Sequence, residues 1–138
     1  MLKKPPMQDK VTYEFAVIRL VPKVEREEFL NIGVIVFSKR KKYLEMKYEI
    51  DEKRIRSFSP SADIEQLRNY LEAWQRICKG GAAAGSIGQL DIAMRFRWLT
   101  APKSTILQCS WVHPGLCEAP GEVLEELFSA YVLPLTKR

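Results

Sequence analysis

The chain has 138 residues, 46% of them hydrophobic and 28% charged, the balance of an ordinary globular domain, which excludes a disordered or fibrous chain. Twenty-two lysines and arginines against 17 acidic residues give a net charge of +5, enough to favour polyanions but not to require them. No apolar run approaches the roughly 20 residues that cross a bilayer, and the opening MLKKPPMQDK lacks the apolar core of a signal peptide. The three cysteines, Cys78, Cys109 and Cys117, are too few for a disulfide framework, so a cytoplasmic protein with free thiols and no membrane association is expected.

Residues 1–10 carry two prolines and three lysines without apolar periodicity and read as a loose lead-in to a single domain over 11–138. Alternation from Val11 to Val21 predicts a first strand, with Tyr13, Phe15, Val17 and Arg19 on one face and Ala16, Ile18 and Leu20 on the other. Pro22 ends it, and a polar connector with a helical turn near Glu25 to Phe29 leads to a second strand opened by Gly33. The block Lys39, Arg40, Lys41, Lys42 is a solvated turn, after which Tyr43 to Ile50 alternate as a third strand.

Ile64, Leu67, Leu71, Trp74 and Cys78 recur at spacings of three and four, the stripe of a helix packed on one side. Ser59 with Pro60 is the expected N-terminal cap and Gly80 with Gly81 the stop. The segment 80–88 is small and flexible. Residues 89–99 fit either period, and a Ser86/Gln89 capping box favours helix. A fourth strand is expected over 104–112, stopped by His113, Pro114 and Gly115. Pro120 then starts a terminal helix with Val123, Leu124, Leu127, Phe128 and Tyr131 on its apolar face. The expected fold is therefore α+β: one antiparallel sheet of about four strands, a meander over 11–50 plus the strand near 104–112, with two to three packed helices.

The glycine segment resembles a phosphate cradle but lacks the Lys and Ser/Thr of a P-loop and follows a helix where such a loop follows a strand. Cys109, His113 and Cys117 stand four residues apart as weak metal-ligand candidates, but Pro114 and Gly115 prevent a shared helical face. A single histidine excludes multi-histidine metal catalysis; no metal and no cofactor is expected. Lys39, Arg40, Lys41 and Lys42, with Arg97 beside Trp98, are the residues a nucleic acid would meet.

Arg19 stands out, because a guanidinium inside an apolar strand must be paired or must face a cavity. Glu28 is the nearest partner in sequence. Read as scaffold, the two form an ion pair pinning the connector to the sheet. Read as function, Arg19, Glu28 and Asn31, with Arg95, Lys103 and Ser104, line a ligand or partner site.

The stretches YEFAVIRLVPKVEREEFLNIGVIVF and RFRWLTAPKSTILQ, followed by a proline-glycine turn and an acidic helix, resemble the bacterial DUF3037 family. Its most specific parts are the strand end from Arg19 to Pro22, the block Glu28-Phe29-x-Asn31-x-Gly33, and the segment from Arg95 to Ser104. The family has no established activity. Its members stand beside small HipA-like kinases, so the resemblance implies an accessory module docking a protein partner, with a HipA-like kinase first in line. The family often has arginine where this chain has Lys103, which weakens any bidentate anion contact there. Three functions follow: a non-enzymatic interaction module, a nucleic-acid-binding module, and a small-anion site or enzyme around Arg19, Glu28 and Asn31. The last ranks lowest because the chain offers no nucleophile and base together.

Overall fold

The computed structural model describes residues 9–135, so the lead-in lies outside the described residues except for Asp9 and Lys10. Its centre is strand β1 (Val11–Leu20), the first of the alternating segments. Strand β2 (Leu30–Ser38) pairs with one edge of β1 and β3 (Tyr43–Tyr48) pairs with β2, giving the antiparallel meander. The other edge of β1 is shared. β4 (Leu107–Cys109) runs along its C-terminal half and β5 (His113–Cys117) along its N-terminal half.

The helices are α1 (Glu52–Phe58), α2 (Ile64–Lys79), the single turn α3 (Gly85–Gly88), α4 (Ile92–Thr100) and α5 (Pro120–Tyr131). Each face of the sheet carries an apolar layer, as period-two burial of both sides of β1 requires. Ala16, Ile18 and Leu20 join Ile35 and Phe37 beneath Leu67 and Leu71 of α2 and Phe96 of α4. Phe15, Val17, Val34 and Val36 lie beneath Leu124, Phe128 and Val132 of the last helix and its end.

Two glycines are imposed by close packing. A β-carbon at Gly33 would stand 2.8 Å from the Lys47 carbonyl oxygen of β3. One at Gly115 would stand 2.4 Å from the Tyr13 ring, which lies across the β5 backbone.

Four expectations need correction. Helix α1 was not foreseen: among EKRIRSF only Ile55 is fully buried, so no stripe marks it, and Asp51 caps it by accepting from the Arg54 N–H at 3.1 Å. Ser59 consequently closes α1, its N–H donating to the Ile55 carbonyl at 2.7 Å, and α2 is capped instead by Asp63, which accepts from the Gln66 N–H at 3.0 Å. Residues 92–100 are helical, but the cap is Asp91, accepting from the Met94 N–H at 2.8 Å, and Ser86 lies within α3. The glycine segment is itself folded, with the Gly81 N–H donating to the Gly88 carbonyl at 2.8 Å.

The fourth correction bears on the site. His113, Pro114 and Gly115 do not stop the last strand; they belong to β5. Pro114 is tolerated because β5 is an edge, where no ladder donor is missed on its outer side. Cys109 pairs with Ile18 and His113 with Phe15, so Ser110, Trp111 and Val112 span only Ala16 and Val17. The extra residue is a β-bulge. Ser110 holds it, its N–H donating to the Val17 carbonyl and its hydroxyl accepting from the Val17 N–H, both at 2.8 Å.

Candidate functional site

Most of the polar residues that stand out in the sequence are engaged at helix ends. A helix leaves its last carbonyls without intrahelical donors and carries partial negative charge there, so a cation or amide brought from another element is stabilising. Arg95 of α4 donates through Nη1 to the Ile77 and Cys78 carbonyls at 2.9 and 2.8 Å, closing the end of α2, and through Nε to Leu90 O at 3.0 Å. The Lys103 ammonium donates to the Trp98 and Ala101 carbonyls at the end of α4. Asn31 Nδ2 donates to the Tyr131 carbonyl at 3.1 Å, and Arg54 Nη1 to the Val132 carbonyl at 2.7 Å, so α5 is held from β2 and α1 at once.

Lys103 also stands 4.3 Å from the centre of the Trp98 ring and 5.5 Å from that of Trp74. Burial against these rings lowers its pKa. Ser104 follows in the same loop, exposed, on the rim of an apolar groove of about 520 Å³ whose walls include Tyr70, Trp74 and Trp98.

Arg19 is placed differently. Glu28 does not reach it; that carboxylate accepts from Arg26 Nε at 2.6 Å in the exposed connector, and this bond holds it below the usual carboxylate range. The Arg19 guanidinium lies over the Phe29 ring at 3.9 Å from its centre. Asn31 is its cross-strand neighbour and Gln108 its partner on β4. Among the described residues no carboxylate pairs with Arg19, and its buried Nε has no hydrogen-bond partner, as is true of Asn31 Oδ1.

Arg19 lines a second groove, of about 470 Å³, between the end of α4 at Thr100 and Pro102 and the β4–β5 bulge at Ser110 and Trp111. Pro102 is a wall of both grooves. Trp111 stands at the tip of the bulge with 87% of its surface exposed. The structure thus brings Arg19 and Asn31 together, sets Glu28 in the Arg26 connector, and gives Arg95 and Lys103 to helix ends.

Sequence reasoning assigned no role to Phe29, Gln108 or Trp111. The available signal was a tryptophan two residues before His-Pro-Gly. Reading that triplet as a stop hid the bulge that turns Trp111 outward.

Of the nucleic-acid candidates, Lys39, Arg40, Lys41 and Lys42 are exposed on the β2–β3 turn. Arg97 instead donates through Nη1 and Nη2 to both Glu14 carboxylate oxygens, at 2.6 and 2.9 Å. Cys109 donates weakly to the Leu99 carbonyl, while His113 stacks on Phe15 with ring centres 5.1 Å apart. Among the described residues no three His, Cys, Asp or Glu are grouped to hold a metal ion. Burial pushes the Cys78 and Cys109 thiols up to about 12, so both stay protonated at neutral pH. Among the described residues no helix is long and apolar enough to cross a membrane.

No curated protein and no solved structure matches the chain. A family model described as "Protein of unknown function (DUF3037)" matches residues 15–132, a span that contains Arg19, both grooves and the bulge; the chain belongs to that family.

Proposed function

We propose that the chain is a non-enzymatic interaction module that docks a protein partner through the surface at the β4–β5 bulge. The observation that carries this reading is Trp111, an indole 87% exposed on a bulge fixed by two hydrogen bonds to Val17. Tryptophan is the residue type most enriched where interface energy concentrates, and an exposed one held on rigid backbone loses little entropy on docking. Bulge, Pro114 and the three-residue length of β4 all blunt this sheet edge against nonspecific strand pairing, so contact there is made by side chains.

The protonated thiols of Cys78 and Cys109 and the stacked His113 support a binding role over a catalytic one. The family resemblance makes a HipA-like kinase the first partner to test. Full-length tagged protein purified from its native host should bring down a stoichiometric partner, and Trp111→Ala should lower the yield at least tenfold. Equal recovery by the variant would remove this surface as the docking site.

A second reading, nucleic-acid binding, rests on the four exposed cations Lys39 to Lys42, none of which is in an ion pair among the described residues. Such binding must weaken steeply with salt as counterions are released from phosphates. A flat response between low and physiological salt would eliminate it.

A further inference from the structure

A basic side chain packed into a groove without an acidic partner defines what the groove can receive. We infer that the groove at the bulge takes an acidic peptide segment of the docked partner, its carboxylate received by Arg19 and an adjacent apolar side chain laid against Trp111. This rests on the docking reading above and names the chemistry of the docked segment.

Three observations carry it. First, the groove walls hold one cation, Arg19, and no aspartate or glutamate. Second, the Phe29 ring at 3.9 Å shields one face of the guanidinium from water and fixes its plane, leaving the planar fork suited to a carboxylate. Third, the walls are otherwise small, apolar or uncharged, with Thr100, Pro102, Ser110 and Val112 leading to Trp111.

The single charge selects the anion. Lys103, the nearest cation in the adjoining loop, is committed to the Trp98 and Ala101 carbonyls. A phosphate dianion would therefore bring one negative charge more than the groove can compensate, whereas a carboxylate is matched. A small free carboxylate would leave Trp111 uncovered. A peptide covers it and fills the groove's volume of about 470 Å³ between α4 and the bulge.

The test uses a displayed random peptide library, unphosphorylated, selected in parallel on full-length wild type, Arg19→Met and Trp111→Ala, each shown folded by circular dichroism and its urea midpoint. Wild type should enrich sequences with Asp or Glu one or two positions from an aliphatic or aromatic residue. On Arg19→Met the acidic preference should fall to library background while the apolar preference survives. A synthetic peptide of the selected sequence should bind Arg19→Met at least tenfold more weakly. Its Gln or Asn counterpart should bind wild type equally weakly, with no further loss on Arg19→Met. Peptides selected without acidic preference, or tighter Arg19-dependent binding when phosphoserine replaces the acid, would overturn the carboxylate assignment and leave docking intact. No enrichment on wild type, or unchanged selection on Trp111→Ala, would overturn the docking surface itself.

Discussion

Arg95 and Arg19 are both arginines that a sequence places among apolar residues, yet their surroundings predict opposite outcomes on substitution. Arg95 donates three hydrogen bonds to backbone carbonyls, two of them at the end of α2. Arg95→Met should cost about 2–3 kcal/mol in urea unfolding, since charged hydrogen bonds contribute about 1.5–3 kcal/mol and an orphaned acceptor adds its own penalty. Arg19 is held by one ring, an interaction of about 0.5–1 kcal/mol, against which stands the desolvated Nε. Arg19→Met should therefore change stability by less than about 1 kcal/mol while abolishing acidic-peptide selection. That contrast separates scaffold from site. The sequence made both residues visible as anomalies, because charge in an apolar pattern needs a reason. It could not distinguish them: a helix end meets Arg95 through folding of α2 against α4, and Phe29 rather than Glu28 meets Arg19 through the turn of the connector, neither of which is a matter of spacing.

At the level of elements, the meander, α2 and α5 were legible because each has a long apolar stripe of one period. Helix α1 was not, since a single buried residue makes no stripe, and β5 was not, since Pro and Gly signal a stop wherever strand position is unknown. The bulge between β4 and β5 depends on Ser110. Ser110→Ala would leave the buried Val17 N–H unsatisfied and should cost about 1–3 kcal/mol, measured by chemical denaturation. If the bulge positions Trp111, the same variant should also weaken partner recovery, by less than Trp111→Ala does. Tyr13 and Gly115 act as a pair. Gly115→Ala should destabilise by about 1–3 kcal/mol through overpacking, and in a Tyr13→Ala background, where the ring it strikes is gone, that cost should largely vanish.

For the molecule as a whole, stability should decline in alkali as buried thiols resist ionisation. Burial raises the folded pKa of Cys78 and of Cys109 from the ordinary thiol value of 9.0 to about 12. Below pH 9 both states are protonated and the contribution is fully present; above it the unfolded chain ionises while the folded one does not. Unfolding free energy should fall between about pH 9 and 12, by up to roughly 1.4 kcal/mol per pH unit for each thiol, with the raised Cys117 and tyrosine groups adding to the decline, and Cys109→Ala should make the slope shallower. A pH-independent urea midpoint over that range would contradict the burial of these thiols.

The sheet carries an apolar layer on each face, and one face is covered by α5 and the residues that directly follow it. Asn31 and Arg54, which hold the carbonyls of Tyr131 and Val132, can engage only when that helix is complete. Any folding intermediate that pairs the five strands before α5 docks therefore leaves Phe15, Val17, Val34 and Val36 facing water.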